Sequence, residues 1–126
     1  MTERRLILEL GTGNDLYGGD YTKAACRAVQ DALHHSSLVL FRTLGYDPAQ
    51  MRVEVTIGVQ APDKVDTAVV AAELPRGRPE VTVVFGGLDV HDAALGTTFV
   101  VATAAVAAFL PIEASDWRLS ALPDAD

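Results

Sequence analysis

The sequence predicts an α+β domain in which a mixed sheet is covered by helices on one face. Three observations lead there. Residues 52–59 (RVEVTIGV) alternate strictly, with Val53, Val55, Ile57 and Val59 on one face, as in a half-buried strand. Within residues 20–36, Ala24, Ala25, Ala28, Val29, Ala32 and Leu33 recur at helical spacing and form one apolar stripe. The segments then follow one another as β-α-β-α-β, with one further apolar element behind them.

In order along the chain, residues 5–10 are the first expected strand. Gly11-Thr12-Gly13-Asn14 reads as the loop that leaves it. Gly18-Gly19 precede Asp20, a candidate N-cap whose carboxylate can accept a free N–H of the first helical turn. The helix over 20–36 is expected to continue irregularly through 36–44, until Gly45 and Asp47-Pro48 mark a stop and a turn. After the strand at 52–59, Pro62 and Asp63 open a second expected helix reaching Leu74, with Val65, Val69 and Ala72 as its stripe. The loop Pro75–Pro79 ends it, and residues 80–85 (EVTVVF) form a third strand closed by Gly86-Gly87. Residues 97–110 (TTFVVATAAVAAFL) fit two readings. Their alanine content favours a helix, and their apolar character on every side suits a central strand buried on both faces. Residues 1–110 make one domain, and 111–126 form a polar tail with Trp117 as its one anchor.

Composition narrows the function classes. With 49% apolar and 6% aromatic residues, the core is built from Val, Leu, Ile and Ala. A net charge of −7 argues against non-specific nucleic-acid binding, which needs a basic face. Cys26 is the single cysteine, so neither an internal disulfide nor a Cys-based zinc site can form, and its alanine neighbours suggest a buried thiol. The N-terminal run lacks the apolar region of a signal peptide, and residues 97–110 are too short to span a bilayer. The expectation is a soluble cytoplasmic protein without membrane contact.

The element order resembles the chorismate-mutase-like and YjgF-like architecture, whose members are usually homotrimers with ligand sites between subunits. That resemblance implies a β-α-β-α-β-β, four-stranded mixed sheet in which 97–110 is the central antiparallel strand. A single helical layer leaves the other sheet face uncovered, which points to oligomerisation through that face. Gly11-Thr-Gly-Asn-Asp15, Gly19-Asp20, Thr22-Lys23-Ala24-Ala25, Arg27-Ala28-Val29, Val65-Asp66, Leu74-Pro75-Arg76-Gly77 and Gly86-Gly87 together resemble a small family of uncharacterised single-domain bacterial proteins. More distantly, Asp20-Tyr21-Thr22-Lys23 after a glycine-rich segment is similar to one repeat of the ring-opening amidohydrolases, cyanuric acid hydrolase and barbiturase. In those repeats a strand ends in Ser-Gly-Gly, and the serine acts with a lysine. Here Phe85 stands before Gly86-Gly87, and Leu10-Gly11-Thr12 offers no matching lysine, so that nucleophilic chemistry is not implied.

The candidate site gathers around the first helix start. Lys23 and Arg27, one turn apart, can clamp a carboxylate or imide oxygen, or simply pair with Asp31 or Asp20 on the surface. Asp15 and Asp20 can hydrogen-bond a ligand N–H or act as a general base, or serve only the turn and the cap. If there is chemistry, Lys23 is its electrostatic stabiliser. Gly11, Gly13, Asn14, Gly86 and Gly87 would present backbone N–H groups, unless they are plain turns. Arg76 and Arg78 can add cations from a neighbouring subunit, or stay solvated. The pattern is neither a Walker loop nor a dinucleotide fingerprint. His34 and His35 point about 100° apart on a helix and His91 is distant, so neither a metal site nor a cofactor is expected. The functional expectation is a homotrimeric protein binding a small, polar, carbonyl-rich or anionic ligand, with amide or imide hydrolysis or proton transfer as its possible chemistry. The alternatives are a non-catalytic ligand sensor and a structural or assembly protein.

Overall fold

The computed structural model describes residues 2–35 and 45–116. The elements are β1 (Thr2–Asp15), α1 (Tyr21–Leu33), β2 (Arg52–Val59), α2 (Thr67–Ala71), β3 (Arg78–Phe85), β4 (Leu88–Asp92) and β5 (Thr97–Ile112). Short 3-10 turns lie at Pro48–Gln50, Pro62–Lys64 and Ala114–Asp116. The expected helical continuation through 36–44 and the tail beyond residue 116, with Trp117, lie outside the described residues.

The sheet runs β1-β5-β2-β3. β5 is antiparallel to β1 on one side and to β2 and β4, end to end, on the other, while β2 and β3 are parallel. The 97–110 segment is therefore a central strand, as its apolar character on all sides suits. Its inner face (Val100, Ala102, Ala104, Val106, Ala108, Leu110) joins Val53, Val55, Ile57 and Val59 of β2 and the alanine stripe of α1 in one core. Full burial of each valine or isoleucine contributes roughly 1.5–3 kcal/mol. Both helices lie on this inner face, and among the described residues no helix covers the other.

On that outer face, at the N-terminal end of β2, Arg52 binds three carboxylates. It meets Glu3 at 2.7 Å, Glu54 at 2.8 Å and Glu80 at 3.1 Å, with its guanidinium 4.3 Å above the Phe109 ring. The hydrogen bond from Arg52 holds the Glu3 carboxyl below its ordinary range.

Four expectations need correction. The glycine segment at 11–14 is not a loop, because β1 runs straight through it to Asp15. Gly11 and Gly13 lie under α1, where a Cβ on Gly13 would stand 2.3 Å from the Ala28 nitrogen and 2.4 Å from the Ala24 carbonyl. Helix packing, not turn geometry, selects glycine there. The sheet has five strands instead of four, because residues 88–92 pair with β5 as β4. The second helix is only Thr67–Ala71, started by the Asp66 carboxylate, and buries Val70 while Val69 stays exposed. The third strand begins two residues early, at Arg78. The first helix closes at Leu33 with Asp20 as its N-cap, near the expected bounds. No helix among the described residues is long and apolar enough to cross a membrane.

A methyl group at Gly13 must push α1 off the sheet. Gly13→Ala is expected to lower the unfolding free energy by about 3 kcal/mol in urea denaturation, the upper end of ordinary overpacking. An unchanged midpoint would show that α1 can move away at little cost.

Candidate functional site

β1 ends at Asp15, and α1 begins at Tyr21 after five intervening residues. Asp15 lies on the inner face and is 5% exposed. Its Oδ2 accepts the Asp20 N–H at 2.7 Å, and its Oδ1 lies 3.7 Å from Arg27 Nη1. The loop closes over this carboxylate, since a Cβ on Gly18 would be 3.0 Å from Asp15 Oδ2. Asp20 Oδ1 accepts the Lys23 N–H at 3.0 Å, which is the N-cap bond. Arg27 Nη1 also donates to the Asn14 carbonyl at 2.5 Å.

Asp15, Gly18, Asp20, Lys23 and Arg27, with Leu16 and Tyr17, line an open cup of about 400 Å³. Four of the expected site side chains thus come together. Their duties differ. Asp15 holds the loop and faces Arg27, and Asp20 holds the helix start. Among the described residues, no hydrogen bond or ion pair occupies the Lys23 ammonium, and Lys23 is exposed. The cup offers one uncommitted cation beside the positive end of a helix.

The other expected residues are elsewhere. Gly11 and Gly13 are packed against α1. Gly86 and Gly87 carry the chain from β3 past the end of β2 into β4. Gly86 N–H donates to the Val59 carbonyl at 2.9 Å, Gln60 Nε2 donates to the Gly86 carbonyl at 2.9 Å, and Gly87 has φ 61°. A Cβ on Gly87 would fall 2.3 Å from the Val101 oxygen, so this pair serves a backbone crossing. Arg76 precedes Gly77, which abuts Met51 at the N-terminal end of β2. Gly86 sits at the other end of that eight-residue strand, roughly 25 Å away by strand rise. Within one chain, Arg76 does not reach the cup's glycine neighbours.

Gly11 and Gly86 instead border a second hollow of about 490 Å³ on the bare sheet face. It lies over Gly58, between Thr12, Thr56 and Thr103, with Leu10, Val84 and Phe85 at its rim. Phe85, directly before Gly86-Gly87, is 73% exposed.

One group escaped the sequence reading. The Tyr21 hydroxyl donates to Asp89 Oδ2 at 2.5 Å, tying the start of α1 to β4. Asp89 and Asp15 pair with the same residue, Val100, from opposite sides, so the two backbones are about 10 Å apart. Asp89 Oδ1 is shielded from solvent and has no hydrogen-bond partner. The bond to Asp89 pushes the Tyr21 phenol above its ordinary value. Asp89 lies in LDVHD, where the apolar alternation of Leu88 and Val90 was the only available signal. Cys26 is buried, and burial pushes its thiol up, which suits a structural residue and not a nucleophile. Among the described residues, no three His, Cys, Asp or Glu side chains gather to hold a metal.

Two outcomes follow from the Tyr21–Asp89 bond. Ultraviolet titration should show one phenol ionising above the ordinary tyrosine range, and Asp89→Ala should return it. Because the folded value is raised, stability is complete below the unfolded value and falls as pH rises through the folded one. Tyr21→Phe should cost about 2 kcal/mol in thermal unfolding, since it strands a carboxylate. A loss below a few tenths would mean that the bond contributes nothing net.

Comparison with known proteins places these features in a family. A family model described as a conserved hypothetical protein, Lin0512, matches residues 5–108. The crystal structure of a protein from Nostoc punctiforme, described as FtsZ-like and of unknown function, is 36% identical with a TM-score of 0.76. The match covers 87% of this chain and 98% of that one. No curated protein matches.

Proposed function

The chain belongs to the Lin0512 family of conserved hypothetical proteins, and on that premise we propose that it binds a small anionic or carbonyl-rich molecule in the cup at the start of α1. The observation that carries this reading is the uncommitted Lys23 ammonium. It stands beside Arg27 in a chain whose overall charge is −7. A helix N-terminus next to two cations attracts a carboxylate or a polarised carbonyl oxygen.

Binding is favoured over catalysis by the state of the acids. Asp15 and Asp20 both already accept backbone N–H groups, so neither is poised to take a proton from a ligand. The likeness of Asp20-Tyr21-Thr22-Lys23 to ring-opening amidohydrolase repeats favours a cyclic imide or amide as the recognised group. Phe85 in place of the serine argues against hydrolysis by their route. The proposal includes a chorismate-mutase-like homotrimer in which a neighbouring subunit covers the open side of each cup. The open side of the cup supports that cover, and the uncovered face on the opposite side of the sheet supports assembly as such.

Isothermal titration calorimetry with malonate and barbiturate as probes tests the reading. At least one should bind, and Lys23→Ala should weaken it tenfold or more. The fold should be unchanged by circular dichroism, because the cap bond uses the Lys23 backbone N–H and survives the substitution. If neither probe binds the native protein, or Lys23→Ala binds equally well, the cup is not a ligand site of this chemistry.

A further inference from the structure

We infer that the cup takes planar aromatic monocarboxylates, with the Tyr17 ring as the surface on which the ligand ring stacks. This rests on the ligand reading proposed above and narrows it to one chemical class. The three tyrosines of the chain have unlike surroundings. The Tyr21 hydroxyl donates to Asp89, and the Tyr46 hydroxyl accepts the Glu113 N–H at 3.4 Å, so each ties distant segments together. Tyr17 is 82% exposed, and its hydroxyl has no hydrogen-bond partner among the described residues. Leu16 beside it is exposed as well, and both line the cup. One exposed apolar residue is ordinary. Two in succession, walling a cup that also holds a few placed polar groups, have the make-up of a small-molecule site.

Two features choose the class. The first is shape. Asp15 pins the connection that carries Tyr17. Its Oδ2 accepts the Asp20 N–H at 2.7 Å, and Gly18 rests on the same oxygen, where a Cβ would come within 3.0 Å. The backbone next to Tyr17 is thus held before any ligand arrives, which lowers the ordering cost of binding. A flat ring in a fixed place rewards a flat partner, since aromatic pairs gain from offset or edge-to-face contact that a puckered ring cannot match. The cup, at about 400 Å³, has room for one ring bearing a carboxylate. The second feature is charge. The charged side chains of the cup are Asp15, Asp20, Lys23 and Arg27, two of each sign. Arg27 is engaged by Asp15 and by the Asn14 carbonyl, so Lys23 is the cation left for a ligand. One carboxylate satisfies it. A second would find no free cation in the cup and would meet the charges of Asp15 and Asp20, a repulsion that selects against dianions.

Calorimetry on the full chain with benzoate, cyclohexanecarboxylate and malonate tests the inference. Benzoate should bind about tenfold tighter than cyclohexanecarboxylate, which shares its charge but lacks the flat ring. It should also bind at least tenfold tighter than malonate, which carries two carboxylates. Tyr17→Ala should weaken benzoate about tenfold and abolish its advantage over cyclohexanecarboxylate, whereas Tyr17→Phe should keep both within twofold. Because Tyr17 is exposed, both variants should retain the native circular dichroism and melting profile. Equal benzoate binding by the native protein and Tyr17→Ala would overturn the role of the ring. Malonate binding as tightly as benzoate would overturn the ligand class. In either case, binding that Lys23→Ala still weakens would leave the cup standing as an anion site. If benzoate, malonate and barbiturate all fail to bind the native protein, the cup reading falls and this inference falls with it.

Discussion

The closeness of α1 to β1 is the constraint on which the rest of the molecule depends. Two glycines on the strand and three alanines on the helix bring the backbones into direct contact, with no side chain between them at Gly11 and Gly13. That contact fixes the height of the helix above the sheet, and so the place where its N-terminus begins. Asp15, at the end of the same strand, then meets the Asp20 N–H and the Arg27 guanidinium. The cup is a by-product of helix packing: its acids are spent on structure, and the cation at its mouth is left over.

The same helix works on three fronts. Its alanine face fills the core, its N-terminus frames the cup, and its polar flank reaches around to the edge of β1. Arg27 serves two of these at once, holding the Asn14 carbonyl and facing Asp15. Lys23, Arg27 and Asp31, spaced by four residues, look in sequence like an ordinary solvated stripe. In the fold they do unlike jobs. Asp31 accepts the Thr12 N–H at the strand edge and lies 3.5 Å from His35, while Lys23 is the one of the three whose side chain makes no bond among the described residues. Tertiary placement separates residues that periodicity makes equivalent.

Much of the fold was legible because it rests on local patterns. The β2 alternation, the α1 stripe and the Asp20 cap each depend on a few neighbouring residues, and each stands where expected. The convergence of Asp15, Asp20, Lys23 and Arg27 was legible for the same reason, since one short connection joins them. What was not legible depends on distant partners. Gly11 and Gly13 read as a loop because the reason for glycine lies in the helix that crosses them. β4 was missed because Leu88–Asp92 is mostly polar and becomes a strand only by pairing with β5. Asp89 could not be joined to Tyr21, 68 positions away, without that pairing. Gly86-Gly87 looked like a ligand loop, whereas the Val101 and Gly58 oxygens beside Gly87 show two backbones crossing.

The position of β5 carries a consequence for how the protein is made. The last strand of the domain is the middle one, flanked by β1 on one side and by β2 and β4 on the other. Its register joins Thr2 to Ile112, nearly the full span of the described chain. Until that strand arrives, β1 has no partner in the sheet and β2 has β3 alone. During synthesis the N-terminal half therefore emerges with a hydrophobic helix and strands that cannot complete a sheet, and folding waits for the C-terminal segment. Such high contact order slows folding and prolongs the exposure of apolar strands while the chain is incomplete.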